Sequence, residues 1–92
     1  MFDVEEFCRT AGVPPTTLEV WIEEGWIRPG RSPNGHDFTM IDLARARFIL
    51  DLRGAMGVNE DGVAVILHLL DQIHGLRRAL GAVQNPLGNV PK

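Results

Sequence analysis

The sequence predicts an all-α fold with a small β-wing, and three observations predict it. Helix caps and breakers divide the 92 residues into four helical segments. An Asn-Gly step, which is a hairpin signal, lies between the second and third of these segments. In the last segment, apolar residues recur every three or four positions, which is the spacing of one helix face.

The first two helical segments are short and close together. Asp3 is followed three residues later by Glu6, the pattern of a capping box, and Gly12 ends the first helix. Pro15 stands where a second helix begins, and Gly25 ends that helix. Two short helices joined by a tight turn predict a helix-turn-helix.

A short wing and a third helix follow. The wing is predicted to have strands at 26–29 and 36–38, on either side of a loop over 30–35. Thr39 and Asp42 form a second capping box, which opens the third helix. The side chains of this helix predicted to face inward are Ile41, Ala44, Phe48, Ile49 and Leu52.

The length of the chain suits one domain, since independently folding domains run to about 50–200 residues. Residues 1–80 are predicted to form that domain, with the helix-turn-helix and wing in 3–38 and two C-terminal helices in 39–80. The last helix is predicted to end near Leu80, which leaves 81–92 as a flexible tail because Asn-Pro and a further Pro interrupt the pattern.

The apolar stripe of the last helix is wider than the stripe of about 100° that a helix needs to pack on its own domain. Part of it is therefore predicted to meet a second subunit, which makes a homodimer the expected assembly. An entirely intramolecular core helix is the alternative. The residues predicted at the dimer interface are Ile66, Leu70, Ile73 and Leu76.

Composition excludes several classes of function. Cys8 is the single cysteine, so no internal disulfide or cysteine-based zinc site is possible, and it is predicted to pack in the core. No catalytic motif, metal site or cofactor site is evident, so the protein is not expected to be an enzyme. No apolar run is long enough for a membrane span and no leader is evident, so a cytoplasmic location is expected.

Residues 17–31 read Thr-Leu-Glu-Val-Trp-Ile-Glu-Glu-Gly-Trp-Ile-Arg-Pro-Gly-Arg. This stretch resembles the recognition helix and wing of MerR-type regulators, whose pattern is Thr-Ile-Arg-Tyr-Tyr-Glu-x-x-Gly-Leu-Leu-x-Pro-x-Arg. The resemblance covers about residues 4–70. It implies a MerR-like winged helix-turn-helix followed by two helices, the last a coiled-coil-type dimerisation helix.

The chain departs from this family where the family touches DNA. Glu19, Val20 and Trp21 stand in place of Arg-Tyr-Tyr, and His36 and Asp37 replace Tyr-Arg in the wing. Because DNA affinity depends largely on neutralising phosphates, acids at these positions disfavour specific DNA binding. The alternative is that these acids are only a solvated helix face.

A second resemblance accounts for these departures. Residues 6–8 read Glu-Phe-Cys and residues 62–73 read Gly-Val-Ala-Val-Ile-Leu-His-Leu-Leu-Asp-Gln-Ile, which is similar to the CbpM family of chaperone modulators. The resemblance implies a protein that binds the J-domain of a CbpA/DnaJ-like co-chaperone and inhibits its stimulation of the Hsp70 chaperone DnaK. J-domains present a basic helix, so acids are expected to dock on it. The predicted partner-binding residues are Glu19, Glu23, Glu24 and Asp71, with Val20 or Trp26 as apolar anchor.

Two functions in DNA binding stay open as alternatives. One is a short MerR-type transcriptional regulator that lacks an effector domain, and the other is an excisionase-like architectural protein. Both need a basic recognition helix. The basic residues of the wing and the third helix keep the MerR-type regulator open, and they are Arg28, Arg31, Arg45, Arg47 and Arg53.

Overall fold

The computed structural model describes residues 1–88, which form four helices and a two-stranded antiparallel sheet. Strands β1 (Gly30–Ser32) and β2 (Gly35–Asp37) lie between the second and third helices. This order of elements confirms the predicted fold class, all-α with a small β-wing. The helices are α1 (Val4–Ala11), α2 (Pro15–Glu23), α3 (Met40–Arg53) and α4 (Glu60–Gly88).

Local hydrogen bonds explain where α1 begins and ends. The Glu6 N–H donates to the Asp3 carboxylate at 2.8 Å, and the Asp3 N–H donates to the Glu6 carboxylate at 3.1 Å. Gly12 takes the left-handed conformation with φ of 77°, and its N–H donates to the Cys8 carbonyl at 2.9 Å. Pro15 lies in the first turn of α2, where a backbone N–H has no partner within the helix, so the absence of an N–H in proline costs nothing there. The predicted caps are confirmed.

The wing differs from the prediction in the position of its first strand. Ser32 pairs with Gly35, so the hairpin loop contains two residues, and the segment predicted as a strand at 26–29 is not paired. The reason is that the N–H groups of Trp26 and Ile27 donate to the Trp21 carbonyl at 2.8 and 3.3 Å. The segment therefore completes the turn after α2 and is not free to join the hairpin.

One hydrophobic core joins α1, α2, α3, the base of the wing and the first turns of α4. Phe7 stacks on Phe38 with ring centroids 4.4 Å apart. Phe2 and Phe38 exchange two backbone hydrogen bonds of 2.9 Å, which hold the N-terminus against the end of the wing. Cys8 lies in this core as predicted, and burial raises the pKa of its thiol. The largest fully buried side chains are Phe7, Phe38, Leu18, Ile27, Ile49 and Val63.

Helix α3 turns a different side to the core from the one predicted. Ile49 and Leu52 are buried as expected, but Ile41 is 78% exposed, Ala44 is exposed and Phe48 is half-buried. The apolar residues of α3 cover more than one side, so their spacing alone does not select the inner one. Packing against α1 selects it. The apolar side chains that α3 buries are Leu43, Ala46, Ile49 and Leu52.

Helix α4 extends to Gly88, beyond the predicted end near Leu80. A glycine ends a helix most readily in the left-handed conformation, and the φ of Gly81 lies outside that range. Residues 81–88 of the predicted flexible tail are therefore helical. The remainder of that tail, 89–92, lies outside the described residues.

Candidate functional site

Helix α2 is the second helix of the helix-turn-helix, and its outward side is open to solvent. Its sequence, Pro-Thr-Thr-Leu-Glu-Val-Trp-Ile-Glu, contains two acids and no lysine or arginine. Leu18 and Trp21 are buried, which turns Glu19, Val20 and Glu23 outward. Negative charge on this side repels the phosphates that a recognition helix of a DNA-binding protein has to approach.

The three acids predicted on α2 are all exposed, but they border two different grooves. Glu24 follows the end of α2 and lies on the side of the helix that faces the start of α4. Glu19 and Glu23 are one helical turn apart and lie on the side that faces the wing. The α2/wing groove is lined by Val4, Pro15, Leu18, Glu19, Ile22, Glu23 and His36.

The second groove runs between α2 and the first turns of α4, and we call it the α2/α4 groove. It has a volume of about 500 Å³, against about 210 Å³ for the α2/wing groove. Its residues are Thr17, Val20, Trp21, Glu24, Trp26, Leu50, Arg53, Glu60, Asp61 and Ala64.

Two acids of the α2/α4 groove are not among the residues that the sequence predicts as partner-binding. Glu60 and Asp61 lie in the first turn of α4, where acids are favoured by the helix dipole, and that role alone explains their presence in the sequence. The structure places them in the lining of the same groove as Glu24, which precedes them by more than thirty positions in the chain. Only the fold shows this shared placement.

Asp71, the fourth predicted docking acid, lies apart from these grooves. The guanidinium of Arg45 donates two hydrogen bonds to its carboxylate, at 2.7 and 3.0 Å, and Arg28 lies 3.6 Å away. The Arg45 Nε–H also donates to the Trp26 carbonyl. The hydrogen bond from Arg45 holds the pKa of the Asp71 carboxyl below its usual range. Asp71 therefore joins α4 to α3 and to the segment after α2.

The five arginines that favour a DNA-binding function lie in different environments. Arg45 is mostly buried and engaged with Asp71, and Arg53 lies 3.9 Å from the Glu60 carboxylate. Arg31 on the wing and Arg47 on α3 are exposed. Of the five, these two are exposed and form no salt bridge within the described part of the chain.

The predicted dimer residues differ in their environments. Ile66 and Leu70 are half-buried against the domain, whereas Ile73 is 46% exposed and Leu76 is 70% exposed. Leu69 and Leu80, which were not among the predicted interface residues, are exposed on the same side as Ile73 and Leu76. Five residues thus follow a 3-4-3-4 spacing, which we call the α4 stripe: Ile66, Leu69, Ile73, Leu76 and Leu80.

Within the described part of the chain, no helix is both long enough and apolar enough to cross a membrane. No group of three or more His, Cys, Asp or Glu residues within it is placed to hold a metal ion.

The helix-turn-helix, the paired wing and the outward side of α2 together define a winged helix-turn-helix protein. The family model described as "MerR HTH family regulatory protein" matches residues 2–85. The chain therefore belongs to the MerR HTH family of regulatory proteins. Searches of curated proteins and of solved structures found no match.

Proposed function

We propose that the chain is a chaperone modulator that binds the J-domain of a CbpA/DnaJ-like co-chaperone and inhibits its stimulation of the Hsp70 chaperone DnaK. The observation that carries the proposal is the charge of α2, a recognition helix with exposed acids and no basic residue. A J-domain presents a basic helix to Hsp70, and the exposed acids that border the two grooves beside α2 offer two candidate surfaces of complementary charge for it. The resemblance of residues 6–8 and 62–73 to the CbpM family supports the same partner.

The proposed mechanism is stoichiometric competition. The chain covers the J-domain surface that Hsp70 uses, so less co-chaperone is free to stimulate DnaK. Opposite charges mainly set the encounter rate and the selectivity, and affinity also needs an apolar contact. Val20 offers that contact because it is 47% exposed. Trp26, the other predicted anchor, is 7% exposed and packs in the core instead.

The DnaK ATPase reaction tests this proposal. Adding the protein at one equivalent per co-chaperone is expected to remove most of the stimulated ATP hydrolysis, because a covered J-domain cannot reach DnaK. The basal ATPase rate of DnaK without co-chaperone serves as control and is expected to stay constant. Full stimulation in the presence of excess protein would contradict the proposal.

We further propose that a second copy of the chain covers the α4 stripe. Apolar side chains with 3-4-3-4 spacing are typical of a helix that packs on another helix along its length. Four of the five stripe residues are about half exposed or more, so the domain itself does not cover them. A twofold pair of α4 helices buries the same stripe from both copies, which is the commonest arrangement in small oligomers.

Replacing Ile73 and Leu76 together with glutamate is expected to convert the dimer into a monomer, because four buried carboxylates across one twofold interface are strongly unfavourable. Sedimentation velocity measures this as a fall from twice the 10.2 kDa chain mass to one chain mass. The matched control is His68→Glu with Ala82→Glu. Both of these residues are exposed on the side of α4 that faces away from the stripe. A monomeric unmodified protein would contradict the dimer.

A DNA-binding transcriptional regulator is the second candidate, and the exposed Arg31 and Arg47 favour it. The logarithm of a protein's association constant for DNA falls linearly with the logarithm of the salt concentration. Each phosphate that the protein neutralises adds about −0.9 to that slope. A mobility-shift assay over a salt series therefore separates the two functions. Sequence-selective binding that persists at physiological salt would favour the regulator over the chaperone modulator.

A further inference from the structure

We infer that the basic helix of the protein partner lies in the α2/α4 groove, with its cations on Glu24 and Asp61 and an apolar side chain on Val20. The inference rests on the proposed function and specifies which side of α2 the partner uses. The predicted acids of α2 border two grooves, so their exposure alone does not decide this.

The apolar surface of the α2/α4 groove favours it over the α2/wing groove. Val20 is 47% exposed at its edge, and the two tryptophans of the core, Trp21 and Trp26, form part of its floor. In the α2/wing groove, Leu18 is buried and Val4 is the most exposed large apolar side chain, at 37%. The larger volume and the more exposed aliphatic side chain fit an anchor residue of a partner helix.

The charged residues that line the α2/α4 groove also favour it as the docking site. Glu24, Glu60 and Asp61 come from two different elements and are all exposed. The single cation is Arg53, which lies 3.9 Å from Glu60. The side chains of Arg53 and Glu60 are 41% and 73% exposed, so solvent screens this long pair and it contributes little. Three carboxylates against one guanidinium leave a net negative groove, which complements a basic partner.

The large groove between α3 and α4 has the opposite character. Ile41, Phe48 and Leu70 contribute apolar surface there, but Arg28, Arg45 and Arg78 also line it. Its one carboxylate, Asp71, is already engaged by Arg45. A basic helix is therefore repelled from this groove despite its apolar surface.

The matched partner is an amphipathic helix with lysine or arginine side chains on both sides of an aliphatic residue. Residues three or four positions apart lie on the same side of a helix, about 5–6 Å from one another. Such a helix places one cation toward the α2 side of the groove and another toward the α4 side. Its aliphatic residue then lies between them, against Val20.

Paired charge reversals on the two sides of α2 test the inference. One variant carries Glu24→Lys with Asp61→Lys, and the other carries Glu19→Lys with Glu23→Lys, so the change in net charge is the same. All four residues are exposed, and equal thermal melts by circular dichroism establish that both variants fold. Binding to a CbpA-type J-domain is measured for each at physiological salt.

We expect Glu24→Lys with Asp61→Lys, the α2/α4 variant, to raise the Kd at least tenfold. We expect Glu19→Lys with Glu23→Lys, the α2/wing variant, to raise it by less than about threefold. The second effect is small because Glu19 and Glu23 face the wing and pair with no cation of a partner in the α2/α4 groove, and water and salt weaken interactions between exposed charges that are not in contact. Equal weakening by both variants, or greater weakening by the α2/wing variant, would overturn the inference while leaving J-domain binding in place. No binding by the unmodified protein would overturn the proposed function and the inference with it.

An uncharged pair of variants gives a second measurement. Val20→Ser removes the proposed anchor contact in the α2/α4 groove, and Val4→Ser makes the same change in the α2/wing groove. We expect Val20→Ser to raise the Kd severalfold and Val4→Ser to leave it unchanged. The reverse order would overturn the placement of the partner.

Discussion

Replacing Phe7 with alanine is expected to lower the free energy of unfolding by about 3–5 kcal/mol, the range measured for buried aromatic truncations. Phe7 is fully buried, stacks on Phe38 at 4.4 Å and meets Phe2 edge-on at 6.3 Å. Its ring joins α1 to the end of the wing. Alanine leaves a cavity at that junction, which a tightly packed core fills only in part.

Urea unfolding followed by circular dichroism measures this loss. Phe48→Ala is the control, because it removes the same atoms from a half-buried position on α3. Its loss is expected to be about half as large, since the transfer free energy scales with the area removed from water. A smaller loss for Phe7→Ala than for Phe48→Ala would contradict the observed core.

Replacing Arg45 with alanine is expected to cost about 2 kcal/mol, the second largest effect. The variant loses two charge-assisted hydrogen bonds to Asp71 and one to the Trp26 carbonyl. Arg45 is 17% exposed and Asp71 is 35% exposed, so solvent screens part of the interaction. Arg47→Ala, an exposed arginine on the same helix, is the control and is expected to change stability by less than about 0.5 kcal/mol.

The stability difference between the unmodified protein and Arg45→Ala is also expected to depend on pH. The pKa of Asp71 is lowered in the folded protein, chiefly by the hydrogen bond from Arg45. The pair therefore contributes fully above the unfolded pKa, about 3.9, and its contribution is lost as pH falls through the lower folded pKa. Urea unfolding between pH 7 and pH 2 is expected to show the difference narrowing below about pH 4. A difference that widens in acid would contradict this ion pair.

Local features of the fold were predictable from the sequence. The capping boxes at Asp3 and Thr39 and the left-handed Gly12 involve residues a few positions apart, so their residue types fix the helix ends. Non-local features were not. Trp26 was predicted in a strand because nothing in the sequence shows that its N–H bonds to Trp21, and the inner side of α3 depends on packing against α1.

In the candidate site, too, local features were predictable from the sequence and non-local ones were not. The exposure and the charge of Glu24 were predictable from the pattern of α2. Its place in one groove with Glu60 and Asp61 was not, because those residues come from α4 and join it there only in the folded chain. Asp71 was predicted as a docking acid from its charge, yet its partner Arg45 is 26 positions away and the sequence does not show the pairing.

Titration calorimetry of the protein against the J-domain of a CbpA-type co-chaperone, at physiological salt, tests the central proposal most directly. We expect saturable binding with one J-domain per chain, and we expect rising salt to weaken it because the proposed surfaces carry opposite charges. If the protein is folded by circular dichroism and the injections give no more than the heat of dilution, the proposed J-domain binding is contradicted. The DNA-binding regulator would then be the better account of this MerR-family chain.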